Sequence, residues 1–243
     1  MEKPFKYTWE IFTGRFEKVF LLMLVTTLPL LLIHSFATNY IYAITPRYLP
    51  NHSAADIYYG LLTILLFLYA QVPYIRFVHN EHEGHEHSLK NSVYFFFANG
   101  FSIFLFACIL SVLTTIGFML FLLPGIILLA IFFPVPYIST FDGKSVWKSV
   151  KEGTRLGKKK IIKIIFILFI TGFIEIFIGL FVTFQLLNIT NSLAAQIITQ
   201  IVLNLLIFPF VIMLITSYMI KWRESLEVLE FEKMEELHNE FAK

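Results

Sequence analysis

The segment His79-Asn80-Glu81-His82-Glu83-Gly84-His85-Glu86-His87 puts four imidazoles and three carboxylates side by side. Imidazole and carboxylate together suit zinc, nickel or copper, and His79 with Glu83, like His82 with Glu86, stands at the i, i+4 spacing of one helix face. His85 and His87 extend the set. No cysteine accompanies them and Gly84 interrupts a rigid helix, so a solvated connector explains the same residues, as does a charge that responds to pH.

Glu175 is a second candidate, being the one acidic residue well inside an apolar run. A charge at that depth is expensive and must face protein, be protonated or meet water. Thr171, Gly172 and Gly179 share its helix face and mark it as a packing face. Gln196, Gln200 and Asn204 recur every fourth residue on the next run and form one polar stripe. With the connecting loop near 187–193, Glu175 and Asn204 both lie roughly 16–18 Å below the surface at 1.5 Å per residue. Two readings follow: a hydrogen-bonded clasp between two helices, or a proton or solute pathway.

A third group is basic. Lys144, Lys148, Lys151 and Arg155 recur at spacings of four, three and four and share one face of a helix expected from Gly143 to Gly157. Val146, Trp147, Val150 and Thr154 take the opposite face, with Gly153 beside them; Trp147 and the valines are expected to dip into lipid, and Asp142 is placed to cap the helix start. Lys158, Lys159 and Lys160 then snorkel at the interface. Such a cluster either fixes topology alone or recruits anionic lipid, or a protein partner, at about 1 kcal/mol per basic residue.

The elements that must position these groups are membrane helices. Between Lys90 and Asp142 there is no Lys, Arg, Asp or Glu, a run long enough for two spans at about twenty residues each. Hydrophobic residues make up 57% and charged residues only 15%, too little charge to cover a water-soluble core of this size. The sequence therefore predicts an all-α polytopic membrane protein with six spans, at about 18–39, 57–78, 95–114, 118–138, 161–186 and 194–220, within one membrane domain over 1–220. Thr114, Thr115 and Gly117 are the expected turn between spans three and four. Pro124-Gly125 is an expected kink and packing point. Pro134 and Pro136 bend the same helix, and Pro29, Pro73 and Pro209 bend spans one, two and six. Cys108, the single cysteine, lies in an apolar run and reads as a small core residue.

Six spans put both ends on one side. Lys3, Lys6, Arg15, Lys18, Arg76, Lys90, the segment from Lys144 to Lys163, Lys221, Arg223, Lys233 and Lys243 share that side, against Arg47 on the other, which predicts cytoplasmic termini in a bacterial cell membrane. Tyr40, Tyr42, Tyr48, Tyr58 and Tyr59 suit an outer aromatic belt. Asn51-His52-Ser53 and Asn188-Ile189-Thr190 match a glycosylation pattern without meaning in a bacterium. The approaches Tyr7–Phe20, Val93–Phe106 and Val150–Lys163 each pass through an amphipathic stretch and a glycine (Gly14, Gly100, Gly157), which predicts three units of interfacial helix plus membrane hairpin. From 221 to 243 an acidic tail helix follows, either turned to the basic Lys144–Lys160 segment or solvated.

Leu123-Pro124-Gly125-Ile126, the apolar stretch to Phe133 and Pro136, then Asp142-Gly143, Trp147, Ser149 and Gly157 resemble the membrane domain of glycerophosphoryl diester phosphodiesterases and related uncharacterised bacterial six-span proteins. The match covers about 120–165, and the six-span layout extends it. The resemblance implies a shared membrane fold. In that family a soluble phosphodiesterase barrel with catalytic acids and a metal site follows the membrane domain. Here span six is followed by a short tail, so the hydrolase activity does not carry over.

No phosphate-cradling glycine loop, His-Glu-x-x-His helix, nucleophile elbow or intramembrane aspartate pair occurs, so the expectation is a non-enzyme without cofactor. The basic residues hug the bilayer, which argues against nucleic acid. Two functions are expected: a membrane protein that organises lipid or partner proteins, by self-association or otherwise, and a small transporter or permease whose path runs past Glu175 and the stripe of span six.

Overall fold

A chain surrounded by hydrocarbon satisfies its backbone polar groups internally or not at all, which makes helix the default for each apolar run. The structure, a computed structural model, describes residues 3–49 and 52–241, with side chains described over 3–46 and 53–226. Six helical segments are long and apolar enough to cross a membrane: Phe16–Ile44, Ala55–His82, Ser88–Leu120, Leu122–Asp142, Val146–Leu187 and Leu193–Leu226. The protein is an all-α multi-pass membrane protein.

In chain order the elements are α1 (Pro4–Gly14), α2 (Phe16–Leu22), a π-helical turn (Met23–Thr27), α3 (Leu28–Ile44), a small antiparallel ribbon of β1 (Arg47–Leu49) and β2 (His52–Ser53), α4 (Ala55–Ala70), α5 (Val72–His82), α6 (Ser88–Leu120), α7 (Leu122–Phe132), α8 (Pro134–Asp142), α9 (Val146–Leu187) and α10 (Leu193–Phe241). Several breaks follow the prolines. Pro29 lacks an N–H and its ring would press on the carbonyl of residue 25, and the π turn ending at Thr27 absorbs that conflict. Pro73 starts α5 after the interruption at Gln71, and Pro134 starts α8. Pro209 stays inside an unbroken α10.

The turn between spans three and four differs from expectation. Thr114, Thr115 and Gly117 are helical and buried within α6, and the chain reverses at Phe121, whose backbone is extended (φ −158°, ψ 149°). Gly117 is a notch: a Cβ there would stand 2.9 Å from the Cα of Gly125. Gly125 in turn would meet the Phe118 ring at 2.5 Å, so two glycines let α6 and α7 close into a tight hairpin. Pro124 does not kink a span. It lies in the first turn of α7, where a helix has no use for the missing N–H. The tip itself, Met119 to Leu123, exposes five large apolar side chains.

The expected three-unit repeat is uneven. The chain breaks at Arg15 just after Gly14, and at Lys160 (φ −116°, ψ 17°) shortly after Gly157, separating surface helix from span in both places. α6 runs through Gly100 without interruption, that glycine making room for Tyr69. The glycosylation triplet at Asn51 and the tail side chains beyond Leu226 lie outside the described residues.

Packing is lopsided. The fully buried large side chains, among them Tyr74, Phe77, Phe133, Tyr137, Met23 and Ile212, lie in the half of the bundle nearer the chain ends. Polar pairs tie that half together: the hydroxyls of Thr8 and Ser217 meet at 2.9 Å, those of Thr27 and Tyr74 share a hydrogen bond, and the Tyr137 hydroxyl donates to Gln71 Oε1 at 2.8 Å. α1 lies against α10, with the rings of Phe5, Trp9 and Phe12 edge-on around Phe210. On the far half, α9 presents Phe173, Phe177, Phe181 and Phe184 outwards.

Candidate functional site

The loose half of the bundle holds a cleft of about 520 Å³ around Glu175. Span one contributes Thr27, Leu31 and His34, span two Tyr59, Thr63 and Phe67, span five Glu175, Gly179 and Thr183, and span six Gln200, Asn204 and Phe208. The floor is aromatic: Phe67 stacks on Phe133 at 5.8 Å and meets Phe208 edge-on at 6.2 Å, and Phe208 meets Tyr74 at 6.0 Å. Below that floor the packed half begins.

The loop between α9 and α10 falls at 188–192, so Glu175 and Asn204 do share a level. The clasp does not form. Asn204 Oδ1 accepts from Gln200 Nε2 at 3.4 Å, one turn away on its own helix, and Glu175 has no hydrogen bond or ion pair among the described residues. Gln196 stands a turn nearer the surface and does not line the cleft. Of the packing face expected at Thr171, Gly172 and Gly179, Thr171 is buried but the glycines are not contact points: a Cβ at either would meet nothing within 4 Å, and Gly179 borders the cleft instead. Glycine on a polar-lined wall is a packing signal only when another helix approaches, and here none does.

Sequence reasoning missed His34 and Thr63. The ring Nε2 of His34 lies 3.2 Å from Thr63 Oγ1, and the ring leans 5.8 Å from Tyr59. A lone histidine within the first apolar run was the available signal, since an ionisable group at that depth is a functional candidate by default. The cleft thus brings together an acidic side chain, an imidazole, hydroxyls, amides and aromatic faces inside an apolar slab. That combination accommodates a compact cation: the carboxylate offers charge and the ring faces offer cation–π attraction.

The basic helix is embedded more deeply than its pattern implies. Val146, Ser149, Gly153, Leu156 and Gly157 form a buried seam. A Cβ on Gly153 would stand 2.6 Å from Val135 Cα, and one on Gly157 would collide with the Ile131 carbonyl. Val146 and Gly153 therefore face protein and not lipid, because two glycines allow α9 to lie directly on α7 and α8. Trp147 is half exposed, with its ring 6.0 Å from Phe106. Lys144, Lys148, Lys151, Arg155, Lys158 and Lys159 are exposed, and Lys160 is half-buried at the kink. Asp142 does not cap α9, whose N-cap is Ser145 without a side-chain bond. Gly143, in the left-handed region at φ 63°, ends α8, and Asp142 holds Lys144 Nζ at 2.9 Å and Arg223 Nη2 at 2.8 Å. That pairing raises the Lys144 ammonium above the usual lysine range. Arg223 also reaches Glu152 at 3.2 Å, so the described start of the tail meets acids of this region.

No metal-holding cluster exists among the described residues. The histidine-rich segment is split between the end of α5 and a turn, which sends its side chains apart: His79 leans over Phe141 at 5.0 Å, and His82 Nε2 lies 3.1 Å from Glu224 Oε1. His85, Glu86 and His87 form the turn leading to α6, and Glu83 ends α5. Glu81, which the metal reading passed over, is the most connected acid of the segment, with Arg15 Nε at 3.4 Å, Lys18 Nζ at 3.3 Å and the Ser88 hydroxyl donating to it. Arg76 Nη1 donates to the Thr140 carbonyl at 2.9 Å and ties α5 to the end of α8.

Comparison with family models, with curated proteins and with solved structures returns no match.

Proposed function

We propose that this protein takes up a small amphiphilic cation in the cleft around Glu175, as the binding step of a permease. One observation carries the reading: a carboxyl group without a hydrogen-bond or ion-pair partner among the described residues faces an open, polar-lined cavity inside the apolar slab. A buried charge left to itself is costly, so a site that keeps one is built to have it matched by something that comes and goes. The volume is in the range of small-molecule pockets, and the aromatic floor closes the path at the packed half, as a carrier open to one side requires. No bond-breaking step is assigned.

The orientation that goes with this reading has both chain ends in the cytoplasm of a bacterial cell and the cleft opening to the outside, on the strength of the cation asymmetry. Kinship with the membrane domain of glycerophosphoryl diester phosphodiesterases is proposed on the segment 120–165, where the shared Gly125 and Gly157 are contact points between α6, α7 and α9. The organising function applies to the face near the chain ends, where exposed lysines ring the bundle.

The test uses tetraphenylphosphonium as the probe with the protein in lipid nanodiscs. Saturable binding is expected, weakened at least tenfold by Glu175→Gln while the thermal midpoint stays put, because the amide keeps the shape and removes the charge. Absence of saturable binding, or equal binding by the variant, overturns the proposal.

A further inference from the structure

A second concavity, of about 880 Å³, runs between α9 beyond its kink and α10, in the half of the bundle near the chain ends. Its polar groups are unevenly placed. Lys160, Lys163 and Lys221 stand at the end nearest the surface, with Trp222 and Ser225 at the same level and Tyr218 one turn deeper. From there the wall is Phe166, Ile170 and Ile174 on one side and Leu214 on the other. Thr171 lines it too, but its hydroxyl is spent on the Ile167 carbonyl at 2.7 Å, and the Ser225 hydroxyl is spent on the Trp222 carbonyl at 2.8 Å. Below Tyr218 the groove therefore offers no free hydrogen-bonding group, and a hydrocarbon chain suits it.

We infer that this groove seats one acidic phospholipid, its phosphate between Lys160 and Lys163 and one acyl chain along Phe166, Ile170 and Ile174. Charge and length both select this occupant. Lys160 and Lys163 are one turn apart on one helix face, and neither makes an ion pair among the described residues. From Ile162 to Ile174 the helix rises about 18 Å, close to the roughly 15 Å of one leaflet's hydrocarbon. Tyr218 and Trp222 place amphipathic rings, 5.8 Å apart, where a glycerol backbone would lie. The non-helical backbone at Lys160 turns the second limb of α9 away from the surface helix, and the groove starts there. The basic cluster expected to attract lipid from 144 to 160 thus narrows to its last member plus Lys163, and the site does not depend on the Glu175 cleft.

The experiment is native mass spectrometry of the full chain in detergent with phosphatidylglycerol or phosphatidylcholine of identical acyl chains. Preferential retention of one phosphatidylglycerol is expected. The Lys160→Gln, Lys163→Gln pair should lower that retention by roughly thirtyfold, given about 1 kcal/mol for each lysine. The Lys158→Gln, Lys159→Gln pair, outside the groove, should leave it within twofold. Ile170→Trp, which fills the apolar wall, should displace either lipid while the helical signal and thermal midpoint are kept. Equal retention of the two lipids, equal losses for the two lysine pairs, or full retention in Ile170→Trp would each overturn the assignment.

Discussion

Substituting alanine at Gly157 adds one methyl group at the tightest helix crossing in the protein. A Cβ there would collide with the carbonyl oxygen of Ile131 and lie 2.7 Å from its carbonyl carbon and 2.9 Å from its Cα. Ordinary carbon contacts begin near 3.5 Å, so α7 and α9 must separate by at least about 0.6–0.8 Å. The obstacle is backbone, and no rotamer change relieves it. Overpacking of this kind costs about 1–3 kcal/mol, and a backbone clash belongs at the upper end. Against it stands the gain of about 0.5–1 kcal/mol for replacing glycine by alanine within a helix. The net is a destabilisation of about 2 kcal/mol, or about 4–8 °C in Tm for a chain of this size. Gly172→Ala is the counterpart, on the same helix with nothing within 4 Å, and keeps only the gain. Thermal unfolding in one detergent, followed by tryptophan fluorescence, should move in opposite directions for the two variants. A shift of the same sign and size in both would refute the argument that α9 is held by contact at Gly157.

Two further outcomes follow from residues outside the cleft. Burial and the neighbouring Glu81 push the Tyr7 phenol up to about 12. An unfolded tyrosine titrates near 10, so Tyr7 holds its proton more tightly in the folded protein, and its contribution is complete below about pH 10 and lost as pH rises towards 12. Tyr7→Phe should remove that component of alkaline unfolding, seen as a smaller difference in stability between pH 9 and pH 11 than in the parent. The hairpin tip from Met119 to Leu123 exposes only apolar side chains, each worth about 1.5–3 kcal/mol when taken from water. It should therefore lie at hydrocarbon depth: in a Cys108→Ser background, a cysteine at Phe121 should resist a membrane-impermeant maleimide that labels one at Asn188, and equal labelling would contradict this.

Span number and type were readable because a hydrocarbon solvent imposes one rule on every run, and the absence of charge from 91 to 141 leaves no alternative to helix. The interruptions at Pro29, Pro73 and Pro134 were readable for the same local reason. Glycine was the ambiguous letter. Gly117 looks like a turn and is a notch for Gly125, whereas Gly172 and Gly179 look like notches and face open space. Which of these holds depends on the neighbouring helix, and that is a tertiary fact. Glu175 stood out through its cost, but its freedom from Asn204 follows from the looseness of the far half, which no pattern along one helix encodes. The histidine segment misled because α5 ends at His82, so Glu86 beyond Gly84 no longer shares a helix face with it, and within α5 His82 faces Glu224 while Glu81 faces Arg15 and Lys18.

The tight pairing of α6 with α7 has a consequence for biogenesis. Neither limb carries a charge between Lys90 and Asp142, so nothing at the bend tells the insertion machinery which way to face. Orientation cues exist only at the two feet, and both feet are basic and share one side. Gly117 against Gly125 holds the two limbs together, so a lysine grafted onto the bend would have to be carried across the hydrocarbon with both of them.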